Sequence, residues 1–318
     1  MDPSDRWLPL DAPVVLGTGS FGGMGSTPEW LGTGLDEAGA HAVLDRGVAV
    51  GAVAFDTAYS YALGAAQRMI GSWLAADSTR RNRVALLDKV GVVARNGGLA
   101  LDLRPETIRA HAAAGRKRMG VAAVDVVMFH APDDEVPVNE SAAAFAELIA
   151  DGSAYGWGLS NVTHDQLRAW LDAADALDMP PPRCVENRFN LLERDDESTV
   201  LPLCGEHGVE YLAYSPLAGG VLVGKYRPGE PPPAGSRRAM RPEMAGPVDD
   251  HSQAIVDRLT AAAKERDLTT PALALAWVLA QPGVRPIVGA SRAAHLDAVA
   301  EALTVGLSDD EIRTIGHV

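Results

Sequence analysis

Cysteine is nearly absent from this chain of 318 residues: only Cys184 and Cys204 are present. They form no CxxC motif. That argues against a disulfide framework and leaves two reduced core thiols, as expected of a cytoplasmic protein. The eight histidines are scattered singly, without an HxH or HxxxH pair, so no metal site is expected. Aromatic residues make up only 5%, and Ala, Val and Leu must fill the core. Positive charge is also short. The formal net charge of −14 repels phosphate backbones and acidic membrane surfaces. Nucleic acid and membrane are therefore not expected partners. No segment approaches the roughly 20 apolar residues that span a bilayer. Met1 to Leu10 carries Asp2, Asp5 and Arg6, and no secretory leader is expected there.

What the chain has in quantity is alternation. Short strand-like runs appear at Val53-Phe55, Val84-Leu87, Val124-Phe129, Tyr155-Leu159, Arg183-Glu186, Glu210-Tyr214 and Arg285-Val288. Helical stretches lie between them: Asp36 to Val48, Ala65 to Ala75, Pro105 to Met119, Glu140 to Ala150, His164 to Ala176, Thr199 to His207 and Pro271 to Ala280. Thr163 and Pro105 suit helix starts, and Gly120 and Gly152 suit helix stops. Repeated β-then-α units imply a parallel sheet, because parallel neighbours need a crossover. The count fits an α/β fold of the (β/α)8 TIM-barrel type, in one unit over residues 1–318, with a weak eighth unit near Gly64 or in a later insert. Gly17-Thr18-Gly19-Ser20-Phe21-Gly22 imitates a dinucleotide fingerprint, but no βαβ unit follows at the right distance. It reads as a short N-terminal cap on one barrel end. Gly219 to Val248, rich in Gly, Pro, Arg and Lys, reads as a long functional loop on the face where barrel active sites are built. Trp73, Trp157, Trp170 and Trp277 read as packing residues. Trp30, Tyr59 and Phe21 are candidates for lining a substrate pocket.

Four polar residues fall at or just past strand ends: Asp56, Tyr61, Lys89 and His130. A phenol is a poor acid near neutrality, with an ordinary pKa of about 10. A neighbouring ammonium would lower that value, a carboxylate would fix the ammonium, and an imidazole could bond a substrate oxygen. Such a set can protonate a carbonyl oxygen while hydride arrives at carbon.

Phe55-Asp56-Thr57-Ala58 with Tyr61, Asp88-Lys89-Val90-Gly91 and Asp125 to Asp133 resemble the tetrad segments of the aldo-keto reductase superfamily. Gly158-Leu159-Ser160-Asn161 is similar to its carboxamide loop. Tyr214 to Gly220 with Gly224-Lys225-Tyr226 is similar to its nicotinamide-stacking and pyrophosphate-covering segment. Ile287 to Ser291 with His295-Leu296 is similar to its adenosine-phosphate loop. The flavour is that of the branch containing aflatoxin-aldehyde reductases and potassium-channel β-subunits. The resemblance implies NADPH/NADP+ as cofactor and a small-molecule carbonyl substrate, with Tyr61 as acid, Lys89 modulating it, Asp56 holding Lys89 and His130 orienting substrate. It implies that Ser160, Asn161 and Glu186 meet the carboxamide and Tyr214 stacks on the ring. Gly17, Thr18, Gly19, Ser215, Pro216, Leu217, Ala218, Gly219 and Gly289 would line the cofactor, with Lys225, Arg237, Ser291 and His295 at its phosphates.

Three positions depart from the pattern. Glu186 stands where Gln is usual, and beside a carboxamide it would favour the oxidised cofactor. Asp88 stands where Thr is usual, and Val299 where an Asn meets adenine. Two alternatives stay open on the same scaffold: reduction of an activated C=C or C=N bond, and a cofactor-binding regulatory subunit. A homo-oligomer is compatible with the sequence.

Overall fold

The computed structural model describes residues 12–95, 97–242 and 246–316. Met1 to Leu10, His317 and the stretch Glu243 to Ala245 of the long loop lie outside the described residues. Ten strands appear among them: β1 (Val15–Gly17), β2 (Ala54–Ala58), β3 (Ala85–Val90), β4 (Val92–Arg95), β5 (Gly98–Leu101), β6 (Val126–Phe129), β7 (Trp157–Ser160), β8 (Cys184–Arg188), β9 (Glu210–Tyr214) and β10 (Val284–Gly289). Eight close into a barrel in the order β1-β10-β9-β8-β7-β6-β3-β2, with every neighbouring pair parallel. The other two, β4 and β5, form an antiparallel hairpin outside it. The eighth barrel strand is β1, and the expectation of a unit near Gly64 or in the insert is corrected. At three residues β1 is too short to register as a periodic run.

Side chains alternate along a strand, so each barrel strand gives one row to the interior and one to the helices. Val15, Ala54, Ala85, Leu87, Val126, Met128, Cys184, Leu212 and Ile287 form the interior cluster. Continuing each row by two residues places Asp56, Lys89, His130, Glu186 and Tyr214 at one end of the barrel. That end is where the strands finish and the βα loops begin, the face that carries active sites in such barrels. Asp56 and Lys89 thus lie within β2 and β3, not past their ends.

The opposite row packs beneath the helices. Trp73, Trp157, Trp170 and Trp277 are all buried, as their reading as packing residues requires. Two helix starts match their sequence signals. Thr163 and Gln166 form a capping box on the helix His164–Ala176, and Pro105 opens the helix Pro105–Met119. Gly120 closes the latter at φ 69°, a value that glycine tolerates best. The long segment after β9 is partly ordered into the turn Ala218–Val223 and the short helix Arg237–Met240. Among the described residues no helix is long and apolar enough to cross a membrane.

Asp88 belongs to this outer row, back to back with Lys89. Gln67 Nε2 donates to its Oδ1 at 2.7 Å, while Oδ2 is buried without a partner. A Cβ on Gly115 would lie 2.1 Å from that Oδ2, so only glycine lets the helix Pro105–Met119 pass so close. Burial raises the Asp88 carboxyl to about 7, against the opposing pull of the Gln67 bond, Lys89 and Arg118. A carboxyl raised on folding favours the folded state at acid pH, and that advantage is lost as pH rises toward 7. Asp88→Asn should therefore gain on wild type by about 1.4 kcal/mol per pH unit at most between pH 5 and 7, then level off. Urea unfolding of both proteins across that range checks it; a stability difference independent of pH contradicts it.

Candidate active site

Lys89 is a cation in the interior row, and it is 1% exposed. A buried ammonium must be matched by opposite charge. Two carboxylates do so. Asp56 Oδ1 accepts from Nζ, and Glu186 accepts with both oxygens at 2.9 Å. The sequence reading gives Lys89 the first partner and sends Glu186 to the carboxamide. In the structure Glu186 points from β8 across the interior to Lys89 on β3, two strands nonadjacent in the sheet.

The charges are strongly interdependent. Burial alone would lower the Lys89 ammonium, but Asp56 and Glu186 hold it well above its ordinary value. Burial and then the Glu186 charge push the Asp56 carboxyl well up, against the pull of Lys89. Tyr61 corrects another expectation. Lys89 lies 5.3 Å from its ring centroid and favours the phenolate, yet burial outweighs it, and Asp56 and Glu186 oppose it further. The phenol is consequently raised, not lowered. His130 meets Tyr61 edge to face at 5.6 Å. Burial and then Lys89 depress its imidazole to about 3, so it is neutral near pH 7. Its Nδ1 is buried without a partner.

Tyr61 is held by a left-handed stretch of backbone, Ala62 at φ 45°, Leu63 at 53° and Gly64 at 82°. Nonglycine residues there cost on the order of 1 kcal/mol or more each, and persist only when neighbours fix them. One such tie is Ala62 N donating to Gly25 O at 2.9 Å. The turn after β1 lies against the same ring: a Cβ on Gly19 would sit 3.6 Å from Tyr61 Cζ. Thr18 fastens this turn, since both its N and Oγ1 donate to Asp56 O, at 2.9 and 2.8 Å. Gly17 pairs in register with Gly289, giving a rim without side chains between them. Gly17 to Gly19 is therefore part of the site's rim.

Other expected residues join by hydrogen bonds. Asn161, at φ 58°, donates from Nδ2 to His130 O (2.8 Å) and Ser160 Oγ (3.0 Å) and accepts from Tyr214 Oη (2.7 Å). The Ser215 to Gly219 turn has left-handed backbone at Ser215, Ala218 and Gly219, while Pro216 and Ala218 are buried and Leu217 is half-buried. Arg237 is half-buried, its charge felt by Tyr226 and Tyr61, and its guanidinium makes no hydrogen bond or ion pair among the described residues. Ser291 Oγ and His295 Nδ1 lie 3.3 Å apart. Burial and then the charges of Arg292 and Lys225 hold the His295 imidazole below its ordinary value. Lys225 and Arg292 thus stand near His295, with no carboxylate paired to either among the described residues.

Some expectations are not brought to the site. Phe21 is fully buried in the core. The Tyr59 ring stacks on His111 at 3.5 Å, and the Arg118 guanidinium covers it at 4.4 Å, so both faces are occupied from the helix Pro105–Met119. Trp30 is not among these: it is half-buried under Arg241, whose Nη1 also donates to Met24 O at 2.6 Å, and its backbone lies by Gly23, next to Ala62. Val299 is packed into the core. The reading missed Arg188, whose guanidinium lies 5.4 Å from the Tyr214 ring centroid. It is the next inward residue after Glu186, so strand period alone could have found it. It also missed Arg241, for which a loop sequence gives no periodic signal.

Comparison with known proteins places this geometry. Residues 13–318 match the model of the aldo/keto reductase family. A probable aldo-keto reductase 1 of Glycine max is 31% identical over 95% of this chain and 87% of its own length. A probable voltage-gated potassium channel subunit beta of Arabidopsis thaliana is 32% identical over 79% of this chain and 77% of its own. An NADH-specific methylglyoxal reductase of Escherichia coli is 29% identical over 92% and 90%. Among solved structures, a glycerol dehydrogenase from Gluconobacter oxydans superposes with a TM-score of 0.81 at 26% identity, over 95% of this chain and 90% of that one. The chain belongs to the aldo/keto reductase family of oxidoreductases.

Proposed function

We propose that this protein reduces an aldehyde or ketone to an alcohol with NADPH, using Tyr61 as the general acid. The observation that carries the reading is the meeting of Tyr61, His130 and a carboxylate-bound Lys89 at the barrel rim. A reduced nicotinamide, when bound, supplies hydride to the carbonyl carbon. The remaining work belongs to the chain. His130, neutral near pH 7, orients the carbonyl oxygen by a hydrogen bond and adds no charge of its own. As hydride reaches carbon the C=O π pair moves to oxygen, and the Tyr61 hydroxyl donates its proton there. Lys89 then faces the phenolate and stabilises it. Because the phenol is held above its ordinary value, it keeps its proton until the oxygen becomes strongly basic. Tyr61→Phe should retain cofactor binding and lose turnover by roughly 10²–10⁴, the scale of a lost general acid. A screen of aldehydes, ketones, enones and imines followed by cofactor oxidation checks it. Carbonyl reduction by the variant within about threefold of wild type sinks the role.

The residues present fit a phosphorylated dinucleotide. Lys225 and Arg292, beside Ser291 and His295, have no carboxylate partner among the described residues, and Arg237, likewise without one among them, is a further cation near Tyr61. The Escherichia coli relative is named NADH-specific, so family membership alone does not choose between cofactors. The cation cluster favours NADPH. A charge-assisted bond to a 2′-phosphate contributes about 1.5–3 kcal/mol, or roughly ten- to a hundredfold in affinity. Dissociation constants from fluorescence quenching test this, and equal values for NADPH and NADH overturn it.

A further inference from the structure

Lys89 carries one positive charge, and the interior gives it two carboxylates. Asp56 and Glu186 both bond the same Nζ, each is at most 4% exposed, and Glu186 commits both oxygens at 2.9 Å. Two carboxylates on one ammonium must lie close together, and two like charges so buried cannot both ionise cheaply. Balancing the lysine takes only one of them. We propose that Asp56 and Glu186 act as a unit that holds one proton beside Lys89, and that Glu186 is thereby a positioning residue whose pair returns that proton to Tyr61 after each turnover.

The step balances. Once Tyr61 has given its proton to the alcohol oxygen, the phenolate takes a proton from the Lys89 ammonium, and the amine so formed takes the proton held between the carboxylates. Tyr61 and Lys89 are restored, the pair becomes doubly ionised, and water refills it after product leaves. The groups facing this unit are Tyr61, His130 and Cys184, and Arg237, from the loop beyond β9, interacts with Tyr61. None supplies an alternative store: His130 is neutral with a depressed imidazole, Arg237 is a permanent cation, and burial pushes the Cys184 thiol well up. Asp56 leans strongly toward its protonated form, because of burial and then Glu186. With Gln at position 186 the like charge is gone and Asp56 alone balances Lys89.

This inference rests on the proposed reductase reading, but its first test needs no substrate. Infrared spectra of the resting protein report the carbonyl stretch of a protonated buried carboxyl. They are best recorded with Asp88→Asn as background, which removes the other carboxyl expected to stay protonated near neutrality. The band should persist at about pH 8 and vanish on adding Glu186→Gln, and Glu186→Asp should restore it. Absence of the band before that substitution, or its survival after, overturns the proposal. Should Glu186→Gln not fold, Asp56→Asn removes the same proton and must abolish the same band. In turnover, the Glu186→Gln deficit in kcat should grow from near zero at about pH 6 to roughly tenfold at about pH 9, with KM little changed. A deficit independent of pH, or one confined to cofactor affinity, also overturns it. If wild type reduces no carbonyl at all, the reductase reading falls while the infrared result still decides the proton store.

Discussion

A buried ammonium is the constraint from which the rest of the site follows. Taking Lys89 out of water costs several kcal/mol, repaid only by opposite charge with good geometry and full hydrogen bonding. Three strands, β2, β3 and β8, must therefore bring Asp56, Lys89 and Glu186 to one height in the barrel. A barrel with a fixed parallel register does this without flexible parts: Ala58 pairs with Lys89 and Ser160 with Glu186. Every other electrostatic property of the rim is referred to this cluster. The ammonium helps keep His130 neutral, and the carboxylates help keep Tyr61 protonated.

The same strand that buries Lys89 on its inner face buries Asp88 on its outer face. The two neighbours solve the problem differently. Lys89 finds full countercharge, whereas Asp88 has a single Gln67 bond and an orphaned oxygen. The cheaper solution for Asp88 is to carry a proton, and this is why it titrates near neutrality. Behind it, Gln67 accepts from Arg118 Nη1 at 2.9 Å, and the same nitrogen donates to Tyr59 O at 3.1 Å. That network ties the segment leading to Tyr61 to the helix layer.

Period-two alternation made most of the architecture readable. Seven of the strands and the helices between them stand in the sequence as apolar runs and capped amphipathic stretches. The eighth was invisible because Val15–Gly17 is too short to show a period. At the site, Asp56, Lys89 and His130 could be read from strand ends, since their height in the barrel follows from local structure. The Lys89–Glu186 contact could not be. It runs across the interior between strands separated in the sheet by β6 and β7, and no local pattern encodes such a meeting. The direction of the Tyr61 shift was unreadable for the same reason, because it depends on how burial and a second carboxylate weigh against one ammonium. Tyr59 misled because sequence proximity to Tyr61 says nothing about which way a ring turns; the stack on His111 decides it.

Lys89 and its two carboxylates form one interdependent charge cluster. The most direct measurement compares the unfolding free energies of wild type, Lys89→Met, and the triple variant that adds Asp56→Asn and Glu186→Gln. Removing the ammonium alone should cost about 3–5 kcal/mol, because a buried carboxylate is left unmatched. Neutralising both carboxylates should recover most of that loss, without restoring carbonyl reduction. A Lys89→Met protein as stable as wild type, or a triple variant no more stable than Lys89→Met, would contradict the account.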